Sequence, residues 1–199
     1  MKIAALALLG SSVIAKPMED HVPMLPFMNG GNNFDFNMFS GYVDITDTTK
    51  KIHYLFLESQ GSPEDDPLIV WYNGGPGCSS MLGFMQEHGP FLLKDGAAEF
   101  DFTASEYSWN KEANMLYIEQ PAGVGYSHGD CDAKPEGCFY DDNNMAEENL
   151  VSLLNWYKKF PEFKTNDLYI SGESYAGIYV PYTVNQIHHH NAVHSRDPN

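Results

Sequence analysis

The segment Leu168-Tyr169-Ile170-Ser171-Gly172-Glu173-Ser174-Tyr175-Ala176-Gly177 constrains the fold more than any other part of the chain. A β-rich apolar run passes directly into small and polar residues, and a helical pattern carrying Tyr179, Val184 and Ile187 follows. A strand that becomes a helix through so short a turn brings its two flanking backbones close together. Gly172 and Ala176 leave room for that approach, and the turn pushes the Ser174 hydroxyl outward at the end of the strand. The helix that starts there points its first amides at any negative charge developing nearby. Ala176 occupies a position where a second glycine is usual, but one methyl is a small addition and Gly177 follows at once. Ser174 is therefore the candidate nucleophile, and the strand–turn–helix around it calls for a layered α/β architecture.

The rest of the chain agrees. Leu68-Ile69-Val70-Trp71-Tyr72 is unbroken apolar sequence, as expected of a strand buried on both faces. Asn114–Glu119 and Asp167–Ile170 read as two further short buried strands. Between them, Met145, Leu150, Leu153, Leu154 and Tyr157 recur at helical spacing within Asp142–Phe160. Phe39–Ile45 and Ile52–Glu58 are β-rich runs joined by a polar turn, and predict a hairpin. This order of elements predicts an α/β fold with a largely parallel sheet. Residues 16–38, rich in Pro, Asn, Met and Gly, predict an irregular lead-in lying over the body, and residues 39–199 form the domain proper. A chain of 199 residues, 43% hydrophobic, suffices for one core.

A net charge of −16 makes nucleic acids and anionic membranes poor partners. Residues 1–15 predict a signal peptide: Lys2, an apolar run from Ile3 to Leu9, then Val13-Ile14-Ala15 with cleavage before Lys16. The run is too short to span a bilayer, and no later stretch is apolar for the ~20 residues a spanning helix needs. The mature chain is expected in the secretory pathway, where cysteines pair. Cys131 and Cys138 flank a short loop and are the expected local pair, the alternative being two free loop thiols; Cys78 is left over. No Cys/His grouping has zinc spacing, so neither a metal nor another cofactor is expected.

A second segment, Trp71-Tyr72-Asn73-Gly74-Gly75-Pro76-Gly77-Cys78-Ser79-Ser80, leaves the end of the buried strand at Tyr72. Ligands bind beyond the carboxyl ends of parallel strands, and glycines let backbone amides approach a substrate oxygen. Asn73–Ser80 and Gly172–Gly177 together resemble the two signatures of the serine carboxypeptidases. Phe39-Ser40-Gly41-Tyr42, Tyr107-Ser108-Trp109-Asn110, the run from Gln120 to Ser127, and Asn166–Ile170 also resemble that family, in the same order. The resemblance covers only the amino-terminal part of the family's domain. It implies an α/β-hydrolase fold, here truncated after the elbow helix, acting on peptide or protein C-termini. It implies Ser174 as the acylating nucleophile and the amides of Gly75 and Tyr175 as the oxyanion hole. Trp71, Asn73, Glu87 and Glu173 would hold the substrate's terminal carboxylate. Two glutamates beside that carboxylate repel it when all are ionised; crowding and partial burial are expected to raise their pKa, giving best binding below neutral pH.

A serine hydroxyl needs a positioned base, and in this fold the order is Ser, then Asp or Glu, then His. The segment after Ser174 holds His188, His189, His190, His194 and Asp197, but these lie at the far end of the elbow helix. His188–His190 are expected to cap that helix. By the resemblance, the triad Asp and His and the partner of Cys78 are missing from this chain, and the strand before Ser174 is left with an unpaired apolar edge. Three readings therefore stand: a serine carboxypeptidase, an acyltransferase on the same scaffold, and a catalytically inactive fragment.

Overall fold

The computed structural model describes residues 16–25, 35–93, 102–130 and 139–194. A five-stranded sheet forms its centre, its strands Met38–Asp44, Lys51–Leu57, Asn114–Ile118, Leu68–Tyr72 and Leu168–Gly172 lying side by side in that order. Strands β1 (Met38–Asp44) and β2 (Lys51–Leu57) are the predicted antiparallel hairpin. β2 runs antiparallel to β6 (Asn114–Ile118), after which β6, β3 (Leu68–Tyr72) and β7 (Leu168–Gly172) are parallel.

The unbroken apolar runs follow from burial on both faces. Side chains alternate across a strand. Tyr54 and Phe56 of β2, Val70 and Tyr72 of β3, and Leu116 and Ile118 of β6 enter one core. Leu55 and Leu57, Trp71, and Met115 and Tyr117 from the same strands enter the other. Helix α1 (Asp142–Lys159) covers the first face. Asp141 starts it, accepting from the Asn143 and Asn144 amides while Asn144 returns a bond to the Asp141 amide. The buried stripe of α1 is Met145, Ala146, Asn149, Ser152, Leu153 and Trp156; Leu150, Leu154 and Tyr157 flank it, half-buried. Trp156 joins this face to the sheet, stacking on Phe160 at 4.8 Å and meeting Phe56 edge-on at 4.9 Å.

The described part of the lead-in lies on the body as expected. The Val22 amide donates to the Met38 carbonyl, and Asp20 accepts from the Tyr54 hydroxyl and the Lys159 ammonium. A two-stranded sheet of β4 (Phe91–Leu93) and β5 (Phe102–Ala104) was not anticipated from sequence. One expectation needs correction: the strand at 167–170 is not buried. Among the described residues β7 pairs with β3 alone and is the sheet's outer strand, with Tyr169 55% exposed. It does present the unpaired apolar edge expected of it. Helix α2 (Ala176–His194) follows, packed against α1 and β7, and leaves Ile178, Tyr182 and Val184 exposed.

The signal peptide at 1–15 and the pair Cys131 and Cys138 fall outside the described residues. Cys78 is free and exposed. No helix among the described residues is long and apolar enough to cross a membrane.

Candidate active site

The register of β3 against β7 pairs Tyr72 with Gly172, so Asn73 and Glu173 leave the sheet as neighbours. The Glu173 amide still donates to the Tyr72 carbonyl at 3.2 Å. The chain then turns sharply, with Ser174 at φ 56°, a left-handed conformation costly for any residue with a Cβ. The Ala176 and Gly177 amides close the turn on the Glu173 and Ser174 carbonyls, each at 2.9 Å. A Cβ on Gly172 would lie 2.5 Å from both the Ala176 Cβ and the Tyr72 carbonyl oxygen, so the close approach read from the sequence is real. Ser174 is exposed, and among the described residues its hydroxyl has no hydrogen-bond partner.

The Gly-rich loop arrives at the same place. A Cβ on Gly74 would sit 2.5 Å from the Tyr175 nitrogen and 3.0 Å from the Ser174 Cβ, so only glycine lets the loop lie against the elbow. Gly75 has φ 108° and Gly77 φ 84°. The loop is closed by the Cys78 amide on the Gly74 carbonyl at 3.0 Å and by the Gly77 amide on the Tyr179 hydroxyl at 3.1 Å. Among the described residues neither the Gly75 nor the Tyr175 amide donates to a protein acceptor. Two unused amides therefore stand beside the Ser174 side chain.

Trp71, Asn73, Glu87 and Glu173 are joined through one side chain. Asn73 is 1% exposed. Its Oδ1 accepts from Trp71 Nε1 at 2.9 Å and from the Gly83 amide at 3.0 Å. Its Nδ2 donates to Glu87 Oε1 and to Glu173 Oε1, both at 3.1 Å. A buried amide thus holds two carboxylates at the surface. The crowding expected between the glutamates is present, but the partial burial is not, since both are exposed.

His88, directly after Glu87, was not singled out from sequence. Its ring stacks on Trp109 at 4.3 Å and meets Trp71 edge-on at 4.2 Å, while Nδ1 bonds the Tyr117 hydroxyl at 3.1 Å. Burial pushes its pKa down to about 4. Tyr179 was also missed as part of the site, and so was the hydroxyl of Tyr175, whose amide alone had been singled out. Tyr179 clamps Gly77, and the Tyr175 hydroxyl donates to Asp142 at 3.0 Å, tying the elbow to the start of α1. The sequence marked Tyr179 only as part of a helical face.

The structure keeps the terminal histidines away from Ser174. Helix α2 is continuous to His194, which places His188 about 18 Å along the axis from the elbow. The expectation that His188–His190 cap the helix is corrected, because all three lie within it. His194 instead reaches back, its Nδ1 2.8 Å from the His190 carbonyl oxygen. No group of three His, Cys, Asp or Glu among the described residues could hold a metal ion.

Comparison with known proteins gives this geometry its context. The serine carboxypeptidase family model matches residues 26–199. The lysosomal protective protein of Mus musculus is 42% identical over 167 residues, covering 84% of this chain and 33% of its own length. A Caenorhabditis elegans serine carboxypeptidase is 43% identical, covering 86% of this chain and 34% of its own. Among solved structures, Kex1(delta)p, a prohormone-processing carboxypeptidase from Saccharomyces cerevisiae, is similar with a TM-score of 0.66 at 34% identity. That match covers 79% of this chain and 35% of the yeast chain. The chain thus spans about a third of the length of the relatives it matches. Matched along most of its length by the family model and by relatives at this identity, the chain belongs to the serine carboxypeptidase family.

Proposed function

We propose that the protein is a serine carboxypeptidase releasing C-terminal residues from peptides through an acyl-enzyme on Ser174. The observation that most supports this is the placement of unused Gly75 and Tyr175 amides beside an exposed serine on a strained turn. Attack of Ser174 Oγ on the last peptide carbonyl would put the developing oxyanion between those amides. The serine proton passes to a base and then to the departing amino group, after which water releases the acyl group and restores Ser174. Among the described residues nothing near Ser174 serves as that base. The base and its orienting partner are proposed to be a His and an Asp, which in this fold follow the serine in the order Asp, then His.

The Asn73-centred cluster would take the substrate's terminal carboxylate, with Trp71 fixing the amide and Glu87 and Glu173 as the contacting groups. The same cluster favours peptide cleavage over transfer of the acyl group to an alcohol, which needs no free carboxylate. Residues 1–15, read as a signal peptide, support a place in the secretory pathway, with a lysosome-like compartment or secretion as its end. The mouse relative carries a lysosomal name.

A protein containing this chain together with its triad should label with a fluorophosphonate at Ser174, and Ser174→Ala should abolish the label. It should also hydrolyse a free-acid peptide at least tenfold faster than the same peptide amidated at its C-terminus, about 1.4 kcal/mol of discrimination. Equal rates on both peptides would remove the carboxylate role, and labelling elsewhere would remove the nucleophile.

A further inference from the structure

Glu119, at the end of β6, has no exposed surface and no role in the site as described so far. Its carboxylate is nevertheless surrounded by donors. His53 Nδ1 lies 2.9 Å from Oε2, the Tyr126 amide donates to the same oxygen at 2.8 Å, and the Ser79 hydroxyl donates to Oε1. Gly125 packs so tightly on the carboxylate that any side chain there would collide with it. Burial alone would raise the pKa of this group, but the bonds from His53, Ser79 and the Tyr126 amide outweigh burial and hold it below the usual range. An ionised carboxylate only accepts, so His53 Nδ1 carries the proton and donates it.

Ser79 belongs to the Gly-rich loop. Its neighbour Ser80 also bonds to the end of β6, donating to the Ile118 carbonyl at 2.6 Å and accepting from the Asn73 amide at 3.3 Å. Two consecutive serines thus tie the far end of the loop to β6, while its near end continues β3. We propose that Glu119 is a positioning residue, oriented by His53, whose bond to Ser79 holds the Gly74–Ser80 loop in register with the Ser174 elbow. Its catalytic consequence rests on the oxyanion role given to Gly75 above: a loop free to shift would carry that amide out of line with Tyr175.

His53 Nε2 also lies 2.9 Å from Ser40 Oγ, so Ser40, His53 and Glu119 form a hydroxyl–imidazole–carboxylate chain. This arrangement orients His53 rather than activating Ser40. Ser40 sits mid-strand in β1 opposite Leu55, with neither a turn nor a helix N-terminus to offer amides to an oxyanion. The His53 ring is further fixed edge-on by Tyr42 at 5.5 Å and Tyr126 at 5.2 Å, and its own amide donates to Ser127 Oγ at 2.8 Å.

The test is hydrogen exchange at the Gly77 and Cys78 amides in Ser79→Ala, Ser79→Thr and Glu119→Gln, with labelling of Ser174 in a protein that contains the triad. Ser79→Ala and Glu119→Gln should speed exchange of those two amides by about tenfold or more, with β3 and β6 amides unchanged. Ser79→Thr, which restores a hydroxyl, should return both to the parent rate. Ser174 labelling should slow by about tenfold in the first two variants and recover in the third, with peptide KM unchanged. Parent exchange rates in Ser79→Ala, or equal acceleration across the whole sheet, would overturn the proposal. Should Glu119→Gln fail to fold, Ser79→Ala removes only one hydroxyl and still decides. Absence of labelling in the parent protein would count against Ser174 as nucleophile, while the exchange rates would still decide the role of Glu119.

Discussion

Stability should fall on acidification because of His88. The ring lies between Trp109 and Tyr117, edge-on to Trp71, and its pKa drops from 6.5 to about 4 because burial disfavours the cation. The folded state therefore binds this proton less readily than the unfolded chain. The contribution is fully present above the unfolded pKa and is lost as pH falls towards the folded one. In full this corresponds to about 3 kcal/mol, of which about 2 is lost between about pH 7.5 and pH 5. That is a large share of the 5–15 kcal/mol, roughly, that holds a domain together. The assay is urea unfolding across this range for the parent and for His88→Phe, which keeps an aromatic ring in the slot but cannot titrate. His88→Phe leaves the Tyr117 hydroxyl without its partner, a cost of about 1–3 kcal/mol that does not vary over this range. The readout is therefore the difference in slope. His88→Phe should flatten the acid limb by about 2 kcal/mol; parallel curves for the two proteins would show that His88 does not carry the effect.

Three further perturbations test the site's construction. Asn73→Ala leaves Trp71 Nε1 and the Gly83 amide without their acceptor. It should cost about 2–6 kcal/mol in urea unfolding, and a loss under about 1 would contradict the hub. Gly172→Ala forces a methyl against the Tyr72 carbonyl and the Ala176 side chain. It should destabilise by about 1–3 kcal/mol, read from thermal melts, and an unchanged melt would mean the elbow is looser than described. Ser174→Gly relieves the strain at φ 56°. It should stabilise the chain by about 1 kcal/mol while removing the labelled hydroxyl, and a destabilised Ser174→Gly would refute the strain.

The elements legible in the sequence were those whose burial is two-sided or whose turn chemistry is local. Leu68–Tyr72 and Asn114–Ile118 had no polar interruption because helices or loops cover both faces of those strands. The elbow announced itself because only small residues fit at Gly172 and Ala176. β7 was misjudged because Leu168, Tyr169 and Ile170 look like core whether or not a neighbour covers them. The stripe of α1 was displaced for a related reason. Asn149 and Ser152 are buried, Asn149 bonding Thr183 at 3.1 Å, and polar residues give no hydrophobic signal for a face that pairs with another helix. Glu119 and His53 were invisible as a pair because they stand 66 residues apart and meet only through the β2–β6 register, which brings Tyr54 opposite Ile118.

Registry between β3 and β7 accounts for the site more economically than any single residue. The two strand ends supply most of both groupings proposed above, with Glu87 added from the segment Gly83–Glu87. On the proposed roles, Trp71 and Asn73 of the carboxylate cluster and Gly75 of the oxyanion hole follow from β3, and Glu173 of the first, with Ser174 and Tyr175 of the second, follow from β7. Parallel strands end at the same edge, so the two sets of residues are side by side only because Tyr72 pairs with Gly172. A slip of one residue would turn Val70 and Tyr72 away from the first core and Trp71 towards it, a change the two packed faces forbid. It would also move Asn73 by about 3.3 Å along the strand, beyond its bond to Glu173. The apolar packing that selects the fold therefore also fixes where Asn73 stands relative to Glu173, Ser174 and Tyr175. What the strands do not fix is the free end of the Gly-rich loop, and that is where the Glu119–Ser79 bond acts.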